Sequence, residues 1–516
     1  MISKPIHFIR RGELVVLRDV APTRTLLQAL REDLHSTAAK EGCNEGDCGA
    51  CTVVLGERDG DGVKYSAVNS CIRFAHSIDG MALWTAEDIT ADKLNKAPSV
   101  RAAGLHPAQQ AMVQCFGSQC GFCTPGFVMS LFATYQNRVC KGETVTRDMA
   151  LHDLSGNLCR CTGYRPILDA AQRMADLPRL QVDETELLQL LELTTHIPRG
   201  KNANLTNESG YWTPKTLVEL LQARAQFPQA QIVAGCTDVG LWVNKLHMDF
   251  DQVLDVSQVA EMRRIENHPH HIAIGAAVPL NEAFAALAKD RPQLRHFFDR
   301  FAGLPVRNSA TLGGNIANGS PIGDSMPLLI ALGANIVLMR WARGRMAHRE
   351  LKLEDFYTGY RKNVLKPDEV LAWIKLPLPQ PSERLRAYKI SKRFEDDISA
   401  VCLALNLQIE DGVATQVSIG AGGVAATPVR AVKTEAFLRG KPWNPATVAA
   451  GKAALQAEFS PISDMRASAA YRSQVLGNLL TRYWLESQSA NPINLEAISL
   501  AELDAPPALE VPGAPT

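Results

Sequence analysis

Eight of the twelve cysteines in this 516-residue chain fall into two compact sets. The first set is Cys43-x4-Cys48-x2-Cys51 followed by Cys71, and the second is Cys120-x2-Cys123 followed by Cys159-x-Cys161. Thiolates at such spacings hold iron-sulfur clusters or zinc. The amino-terminal third is therefore predicted to fold around two metal centres in series, an arrangement typical of one-electron transfer.

The first set has the plant-type [2Fe–2S] spacing, in which three cysteines share a loop and the fourth lies far along the chain. Gly42, Gly46 and Gly49 allow that loop unusual backbone angles, and they let backbone N–H groups approach the cluster sulfurs. Zinc loops typically supply their ligands as two close pairs, so three cysteines in one loop favour iron. A structural zinc site stays the alternative.

The second set joins a C-x2-C pair to a C-x-C pair. Each pair precedes a proline, Pro125 or Pro166, that is predicted to begin a helix. Helix amino termini carry partial positive charge, which stabilises an anionic cluster. C-x2-C also occurs in zinc and thioredoxin-like sites, so zinc stays open here too. The remaining cysteines fit no ligand spacing and are predicted to be small buried hydrophobic residues. They are Cys115, Cys140, Cys236 and Cys402.

The residue patterns predict an α+β protein of several domains. Strands at 52–55 and 63–68 with one short helix predict a ferredoxin-like β-grasp domain over residues 1–92. Four helices predict a helical domain over 93–178, with both cysteine pairs of the second set in its turns.

A linker is predicted over residues 179–210, where an amphipathic piece precedes a polar Gly/Asn-rich stretch. Alternating strands and helices predict an α+β domain over 211–383, and a strand meander followed by helices predicts an αβ module over 384–492. The Pro/Ala-rich end, 493–516, is expected to be an extended tail.

The composition gives no reason to expect a nucleic-acid or membrane partner. Lys plus Arg and Asp plus Glu both number 54, and the pI is near 7.2. The first residues lack a signal-peptide pattern, and no apolar run approaches the roughly 20 residues of a membrane span. Many thiols without a disulfide framework favour a reducing compartment, so we expect a cytoplasmic protein.

Two Gly-rich turns, at 232–240 and 310–324, are candidate phosphate sites. Successive backbone N–H groups in such turns can form a concave nest that binds a pyrophosphate. Neither turn has the G-x-G-x-x-G spacing of a Rossmann fold. From the residues alone, an ordinary tight turn is an equally good interpretation.

Both cysteine sets, with the strings QCGFCTPG at 119–126 and NLCRCTGYRPI at 157–167, resemble the iron-sulfur region of the xanthine dehydrogenase family of molybdenum hydroxylases. The resemblance runs from about residue 5 to residue 490. It implies two [2Fe–2S] clusters, with the helical one nearer a molybdopterin and the β-grasp one nearer a flavin. It also implies that FAD binds in a non-Rossmann domain of the vanillyl-alcohol-oxidase (PCMH) type, followed by the C-terminal αβ module.

The resemblance implies FAD contacts residue by residue. The matching positions are Ile232, Val233, Ala234, Gly235, Cys236, Thr237, Asp238 and Val239, then Phe301, then Thr311, Leu312, Gly313, Gly314 and Asn315, and finally Asp324, Leu371 and Lys389. Cys236 stands where the animal enzymes have asparagine. Three of these residues have an alternative interpretation without FAD. Leu371 could be an ordinary strand residue of the core, Asp324 a helix cap and Lys389 a surface charge.

Gln119 matches the family glutamine that hydrogen-bonds the pterin cofactor, although a polar helix-end residue is the alternative. The larger family members continue into a molybdopterin domain, whereas this chain ends after the flavin portion. It therefore resembles the small subunit of a bacterial two-subunit enzyme. The implied partner is a large molybdopterin-containing subunit, in a heterotetramer of two small and two large chains.

The implied activity is the electron-transfer half of xanthine dehydrogenase, in which hypoxanthine and xanthine are oxidised to urate on the partner. Electrons then reach FAD through the second and the first cluster, and NAD is the acceptor. No acid, base or nucleophile of this chain is expected to act. The alternatives are the equivalent subunit of a hydroxylase for aldehydes or N-heterocycles, and a zinc-stabilised scaffold without catalytic function.

Overall fold

The computed structural model describes residues 4–96, 104–196, 210–394 and 396–488. The predicted tail at 493–516 lies outside these residues. In the part of the chain that the structure describes, no helix combines the length and the apolar character that a membrane crossing needs.

The first domain is a five-stranded sheet crossed by one short helix. Its elements are β1 (Ile6–Arg10), β2 (Glu13–Leu17), α1 (Leu26–Gln28), β3 (Thr52–Asp59), β4 (Gly62–Asn69) and β5 (Ala82–Trp84). The strand order is β2-β1-β5-β3-β4, with β1 and β5 parallel and the other neighbours antiparallel. Thr25 begins α1 with a capping box to Gln28, and a π-helical turn, Ala29–Asp33, continues it. This is the predicted β-grasp fold.

Both faces of this sheet are buried, because successive side chains of a strand point to opposite sides. Val53 packs with Leu26 in one core, whereas the next residue, Val54, belongs to the core of the helical domain. The Trp84 ring lies 5.7 Å from the ring of Phe132 in that second core. Burial of each such aromatic side chain stabilises the fold by about 1.5–3 kcal/mol. The two iron-sulfur domains therefore share one hydrophobic core.

The second domain contains the four predicted helices, and both cysteine pairs of the second set lie between them. Its helices are α2 (Pro107–Gln114), α3 (Thr124–Asn137), α4 (Arg147–Asp153) and α5 (Arg165–Arg173). Prolines occupy the first turns of α2, α3 and α5, where a missing N–H costs no hydrogen bond. Thr146 caps α4 by accepting a hydrogen bond from the Met149 N–H.

The segment predicted as a linker differs from that expectation in its described part. Strands β6 (Asn95–Lys96) and β7 (Gln181–Val182) pair, and the helix α6 (Glu184–His196) follows. Leu187 and Leu191 of α6 are buried in the core that the two iron-sulfur domains share. The amphipathic pattern of this stretch thus indicated a packed helix, and residues 197–209 lie outside the described residues.

The third domain combines a parallel and an antiparallel sheet. The first part contains β8 (Gly210–Trp212), α7 (Leu217–Gln226), β9 (Gln231–Val233), α8 (Val239–Leu246) and β10 (Gln252–Asp255). The second part contains β11 (Ile265–Asn267), β12 (His271–Gly275), α9 (Leu280–Asp290), α10 (Arg295–Asp299), α11 (Leu304–Ser309), α12 (Leu312–Asn318), α13 (Ser325–Ala331), β13 (Asn335–Ala342), β14 (Arg345–Lys352), β15 (Tyr357–Gly359), β16 (Lys362–Asn363) and β17 (Val370–Pro377). The sheet orders are β8-β10-β9, all parallel, and β11-β12-β17-β13-β14, all antiparallel.

The C-terminal module is an antiparallel sheet covered by three helices. Its elements are β18 (Glu383–Ile390), β19 (Val401–Glu410), β20 (Val413–Gly422), β21 (Val429–Arg430), α14 (Val432–Leu438), α15 (Pro445–Glu458) and α16 (Ala469–Gln488). The strands are arranged in sequence order, as in a meander. Alternate residues of β19, including Leu403 and Leu405, pack against the helices.

Candidate redox centres

The four cysteines of the first set meet beside the β-grasp sheet. The thiol of Cys43 interacts with those of Cys48 and Cys71, and the thiol of Cys51 interacts with that of Cys71. The backbone N–H groups of Cys48 and Glu45 donate to the Cys43 Sγ at 3.3 and 3.4 Å. Hydrogen bonds from Cys48 and Cys71 hold the pKa of the Cys43 thiol well below its ordinary value. The same hydrogen bonds raise the pKa values of the Cys48 and Cys71 thiols, so in the absence of a metal the negative charge is concentrated on Cys43.

The loop needs glycine where it touches the helical domain. Gly49 has φ +70°, and a Cβ there would lie 2.3 Å from the carbonyl oxygen of Gly156. Any other residue would push the first cysteine loop away from the turn that precedes Cys159. Glycine thus sets the separation of the two cysteine sets.

The second set gathers two thiol pairs between the helices. Cys123 is close enough to hydrogen-bond with Cys159, and Cys120 with Cys161. The Cys159 Sγ accepts hydrogen bonds from the Thr162 hydroxyl at 3.3 Å and the Cys161 N–H at 3.4 Å. Burial opposes ionisation of Cys159, but these hydrogen bonds outweigh it and lower its pKa to about 7. Cys120 and Cys161 are exposed, so this centre lies at the protein surface.

The thiol arrangement fits two-iron clusters better than zinc. Across residues 4–96, 104–196, 210–394 and 396–488, no three His, Cys, Asp or Glu side chains are arranged around one ion position. The thiols of the first set form a row, Cys48–Cys43–Cys71–Cys51, and those of the second set form two pairs. Four ligands spread in this way suit the two metal positions of a two-iron cluster. A tetrahedral zinc would need four ligands around a single point. The residues present therefore fit a [2Fe–2S] cluster in each set.

Residues 156–158 connect the two sets directly. The Asn157 amide donates to the Gly49 carbonyl at 3.1 Å and to the Thr52 hydroxyl at 3.2 Å, and its oxygen accepts from Ser130 at 2.6 Å. The next residue, Leu158, donates its N–H to the Cys48 carbonyl. The sequence strings NLCRC and QCGFC predicted the ligands, but no pattern identified Asn157 as the bridge.

Both Gly-rich turns line one cavity of about 240 Å³ in the third domain. The predicted residues that line it are Ile232, Val233, Ala234, Gly235, Cys236, Thr237, Asp238, Val239, Thr311, Gly313, Gly314, Asn315 and Leu371. Trp242, Met262 and Leu365 complete the apolar wall, and sequence reasoning had not singled them out. The cavity has the concave shape and donor-rich rim that a dinucleotide cofactor needs.

The two turns touch through their backbones. A Cβ on Gly235 would lie 1.7 Å from the Ser309 carbonyl oxygen, so no larger residue fits. Cys236 adopts φ +61°, and its carbonyl accepts the Gly240 N–H as α8 begins. Thr311 begins α12 by accepting the Gly314 N–H at 3.0 Å. Burial raises the pKa of the Cys236 thiol to about 12, which makes it an inert packing residue.

Four predicted residues lie away from the cavity wall. Leu312 is fully buried in the domain core, and Phe301 packs edge-to-face on Phe284 with the ring centres 5.4 Å apart. Lys389 and Asp324 form a buried ion pair of 2.8 Å. Lys389 is therefore no surface charge, and the Asp324 side chain makes no cap bond to α13.

The ion pair of Asp324 and Lys389 is next to the cavity, and one carboxylate oxygen of Asp324 has no hydrogen-bond donor among the described residues. The Ser325 hydroxyl donates to the side-chain oxygen of Asn315, which lines the cavity. Asp324 Oδ1 finds no hydrogen-bond partner among the described residues. A buried carboxylate oxygen of this kind requires a donor, which a bound cofactor could supply. Asp324 and Lys389 therefore fit a cofactor that extends beyond the cavity.

The acidic loop after β18 contacts the helical domain. Asp396 Oδ2 accepts the Gly156 N–H at 3.0 Å, and burial raises the Asp396 pKa. Asp397 forms an ion pair with Arg393, and Glu395 lies outside the described residues. The loop thus reaches the turn that precedes Cys159.

Gln119 lies in an exposed apolar surface around the second cysteine set. Phe116 is 83% exposed, and Val113, Phe122 and Tyr164 are also exposed. Of the four remaining cysteines, Cys236 and Cys402 are buried as predicted, whereas Cys115 and Cys140 are half-buried.

Four domain families match the chain in order. They are the 2Fe-2S iron-sulfur cluster binding domain at residues 10–75, the [2Fe-2S] binding domain at 90–172, the FAD binding domain in molybdopterin dehydrogenase at 206–379, and the CO dehydrogenase flavoprotein C-terminal domain at 386–487. Together they cover both cysteine sets and both Gly-rich turns.

Curated relatives are named xanthine dehydrogenase. The chain is 32% identical to the Drosophila subobscura protein over 489 residues, 84% of this chain and 35% of the relative. It is 31% identical to xanthine dehydrogenase 1 of Arabidopsis thaliana over 503 residues, 83% of this chain and 36% of the relative. The chain thus spans about a third of the length of the curated relatives it matches.

A solved structure resembles about half of this chain. Carbon monoxide dehydrogenase from Hydrogenophaga pseudoflava aligns with a TM-score of 0.50 and 25% identity, covering 54% of this chain and 96% of that one.

The fold and the two thiol quartets define an iron-sulfur flavoprotein of the electron-transfer class. More specifically, the chain is the iron-sulfur and FAD module of a molybdenum hydroxylase.

Proposed function

We propose that this chain is the electron-transfer and FAD subunit of a molybdenum-dependent xanthine dehydrogenase in the cytoplasm, with NAD as the acceptor. The observation that carries this proposal is the hydrogen-bonded contact between the two cysteine sets, in a chain that also contains an FAD-binding domain. When bound, the clusters and FAD supply one-electron and hydride chemistry that no amino-acid side chain offers. This chain's own residues hold, separate and orient those groups.

The order of the centres supports the direction of transfer. Cys120 and Cys161 are exposed at the surface, whereas Cys51 and Cys71 are buried beside the third domain. An external donor can therefore approach the second cluster, and the first cluster lies toward the flavin cavity. The contact of Leu158 with Cys48 gives a path between them of one hydrogen bond and a few covalent bonds.

Cofactor binding is proposed at the residues that the resemblance assigned. The thirteen cavity-lining residues would hold FAD, and Asp324 and Lys389 would contact the end of FAD that leaves the cavity. Phe301 and Leu312 would support the site from beside it.

The proposed partner is a large molybdopterin-containing subunit, in a heterotetramer of two small and two large chains. The exposed apolar surface around Gln119 is the site where we expect it to dock, because monomeric proteins rarely leave such residues uncovered. Gln119 would then face the pterin.

Docking can be tested at Phe116. The Phe116→Ser variant should retain iron, sulfide and flavin but lose most of the co-purified partner. Leu485→Ser, at an exposed apolar position on α16, is the matched control and should retain the partner. Equal partner recovery from both variants would contradict this docking site.

The decisive experiment is purification of the chain with its native companion. About four irons and four acid-labile sulfides, with one flavin per chain, are expected from two [2Fe–2S] ligand sets. Xanthine should reduce NAD with this complex. Zinc in place of iron, or a protein without visible absorption after reconstitution, would refute the proposal.

The likeness of about half of this chain to a carbon monoxide dehydrogenase chain supports a different substrate as the alternative. If the complex turns over an aldehyde or an N-heterocycle but not xanthine, the proposed substrate is wrong and the proposed electron-transfer role still holds.

A further inference from the structure

A single helix, α8, joins the flavin cavity to the first cysteine loop. It begins at Val239, directly after the first Gly-rich turn, and its first turn includes the hydrogen bond from the Gly240 N–H to the Cys236 carbonyl at 2.7 Å. Its last turn contains Asn244 and Lys245, and both of these contact the cysteine loop. Eight residues thus connect the two proposed cofactor sites.

Asn244 ties both ends of the first cysteine set together. Its side-chain amide donates to the Cys71 carbonyl at 2.8 Å, and to the side-chain and backbone oxygens of Asn44 at 3.1 and 3.3 Å. Cys71 comes from the segment after β4, whereas Asn44 follows Cys43 in the loop. One side chain therefore fixes the remote ligand relative to the loop ligands.

Lys245 places a positive charge next to the same loop. Its Nζ donates to the Cys43 carbonyl at 2.7 Å and lies 3.6 Å from the Glu45 carboxylate. Both charged side chains are half-exposed. Glu45 also donates its backbone N–H to the Cys43 Sγ, so Lys245 partly neutralises a carboxylate held at the cluster loop.

Packing holds the helix firmly in this position. A Cβ on Gly240 would lie 2.2 Å from the Ile72 carbonyl oxygen, so the helix and the segment after Cys71 touch through their backbones. Phe74 is fully buried in one core with Val239, and Leu241 packs on the core of the β-grasp domain. Asn244 and Lys245 are therefore presented by a rigid element and not by a mobile surface.

We propose that Asn244 and Lys245 are positioning residues for the first [2Fe–2S] cluster, and that Lys245 raises its reduction potential. Reduction adds negative charge to an anionic cluster, and a nearby cation stabilises that charge. Hydrogen bonds to the carbonyls of ligand residues orient the ligands, as outer contacts do at other metal sites. A higher potential at this cluster favours its reduction by the second cluster.

The test is EPR-monitored redox titration of the purified complex. In Lys245→Met, the first cluster should become harder to reduce, and its reduced-to-oxidised ratio at a fixed ambient potential should fall about two- to fivefold, the size expected for one half-exposed charge. Lys245→Arg should restore the wild-type ratio. The second cluster provides an internal control within each sample.

Asn244→Leu should broaden or shift the EPR signal of the first cluster and leave that of the second unchanged. Lys433→Met is the matched control for Lys245→Met, because it removes an exposed lysine from α14 in the C-terminal module. It should change the EPR signal of neither cluster.

The inference rests on the proposed clusters, and the two can fail separately. Absence of any reducible iron-sulfur signal in the wild-type protein would refute the proposed function. Two normal signals, with the first cluster titrating identically in wild type, Lys245→Met and Lys245→Arg, would overturn the role of Lys245.

Discussion

The backbone N–H of Leu158 donates a hydrogen bond of 3.0 Å to the carbonyl oxygen of Cys48. Cys48 belongs to the first cysteine set, and Leu158 directly precedes Cys159 of the second. The two cysteine sets are therefore joined through one hydrogen bond and a few covalent bonds. This contact exists because glycines at 49 and 126 let the loop and α3 approach closely, with a Cβ on Gly126 reaching 2.2 Å from the Gly49 carbonyl.

Replacing Asn157 with alanine should weaken this junction. The Ser130 hydroxyl would be left unsatisfied, at a cost of about 1–3 kcal/mol. The Gly49 carbonyl and the Thr52 hydroxyl would each lose one hydrogen bond but keep the bond between them. We expect slower electron transfer between the clusters in rapid-freeze EPR. Asn137→Ala is the matched control, because Asn137 bridges to Tyr65 from the opposite end of α3. If both variants slow the transfer equally, Asn157 has no special role.

Gly235→Ala should prevent FAD binding. The new Cβ would lie 1.7 Å from the Ser309 carbonyl oxygen, so the two Gly-rich turns must separate. Overpacking of this kind typically costs about 1–3 kcal/mol. The flavin-to-iron ratio of the purified protein measures the effect and should fall to well below half of the wild-type value. Gly359→Ala is the control, because its new Cβ would have no atom within 4 Å, and this variant should retain full flavin. Loss of flavin from both variants would contradict the steric explanation.

Lys389→Met should destabilise the protein by about 3–5 kcal/mol, because it leaves the buried Asp324 carboxylate without its cation. Urea unfolding measures this loss. The double variant Asp324→Leu/Lys389→Met should recover much of the stability but still bind FAD poorly. Lys375→Met removes an exposed pair with Glu350 and should cost about 0–1 kcal/mol. Normal FAD affinity in the double variant would exclude both residues from the flavin site.

Stability should fall in acid partly because of His76. Its ring stacks on Tyr211 at 4.8 Å and is bonded to the Val20 carbonyl, and burial lowers its pKa from 6.5 to about 4. Between these values the unfolded chain binds the extra proton, so the free energy of unfolding decreases as the pH falls. The slope is about 1.4 kcal/mol per pH unit, and above pH 6.5 the contribution is constant.

Unfolding of wild type and His76→Gln at pH 7 and pH 5 checks this expectation. Glutamine does not titrate but can still donate to the Val20 carbonyl. Wild type should lose more stability than the variant on acidification. Parallel losses would show that other groups control the acid sensitivity.

The caps and helix starts were readable from the sequence, because their signals are local. Pro125 and Pro166 marked the helices α3 and α5, and Thr25 marked α1. The cysteine spacings predicted which thiols gather in each set, and their role as ligands stays a prediction. The four-helix and β-grasp architectures followed from the same short-range patterns.

The contacts between domains were not readable, because they depend on residues far apart in the chain. Asn157 meets Gly49 across 108 positions, and Asn244 meets Cys71 across 173. Helix α6 was predicted as part of a linker, since its amphipathic face shows which residues are buried but not the surface that covers them. Cys115 and Cys140 were predicted to be buried from their residue type, but they are half-buried. The exposure of a side chain depends on how the helices pack, which residue type does not show.

The core shared by the two iron-sulfur domains determines which truncated versions of this protein can be produced. A fragment ending at residue 92 would leave one face of its sheet, including Val54, Tyr65 and Trp84, open to water and prone to aggregation. Extension to residue 196 restores α3 and α6 over that face. The smallest autonomous fragment should therefore contain both cysteine sets, so neither cluster should be obtainable in isolation.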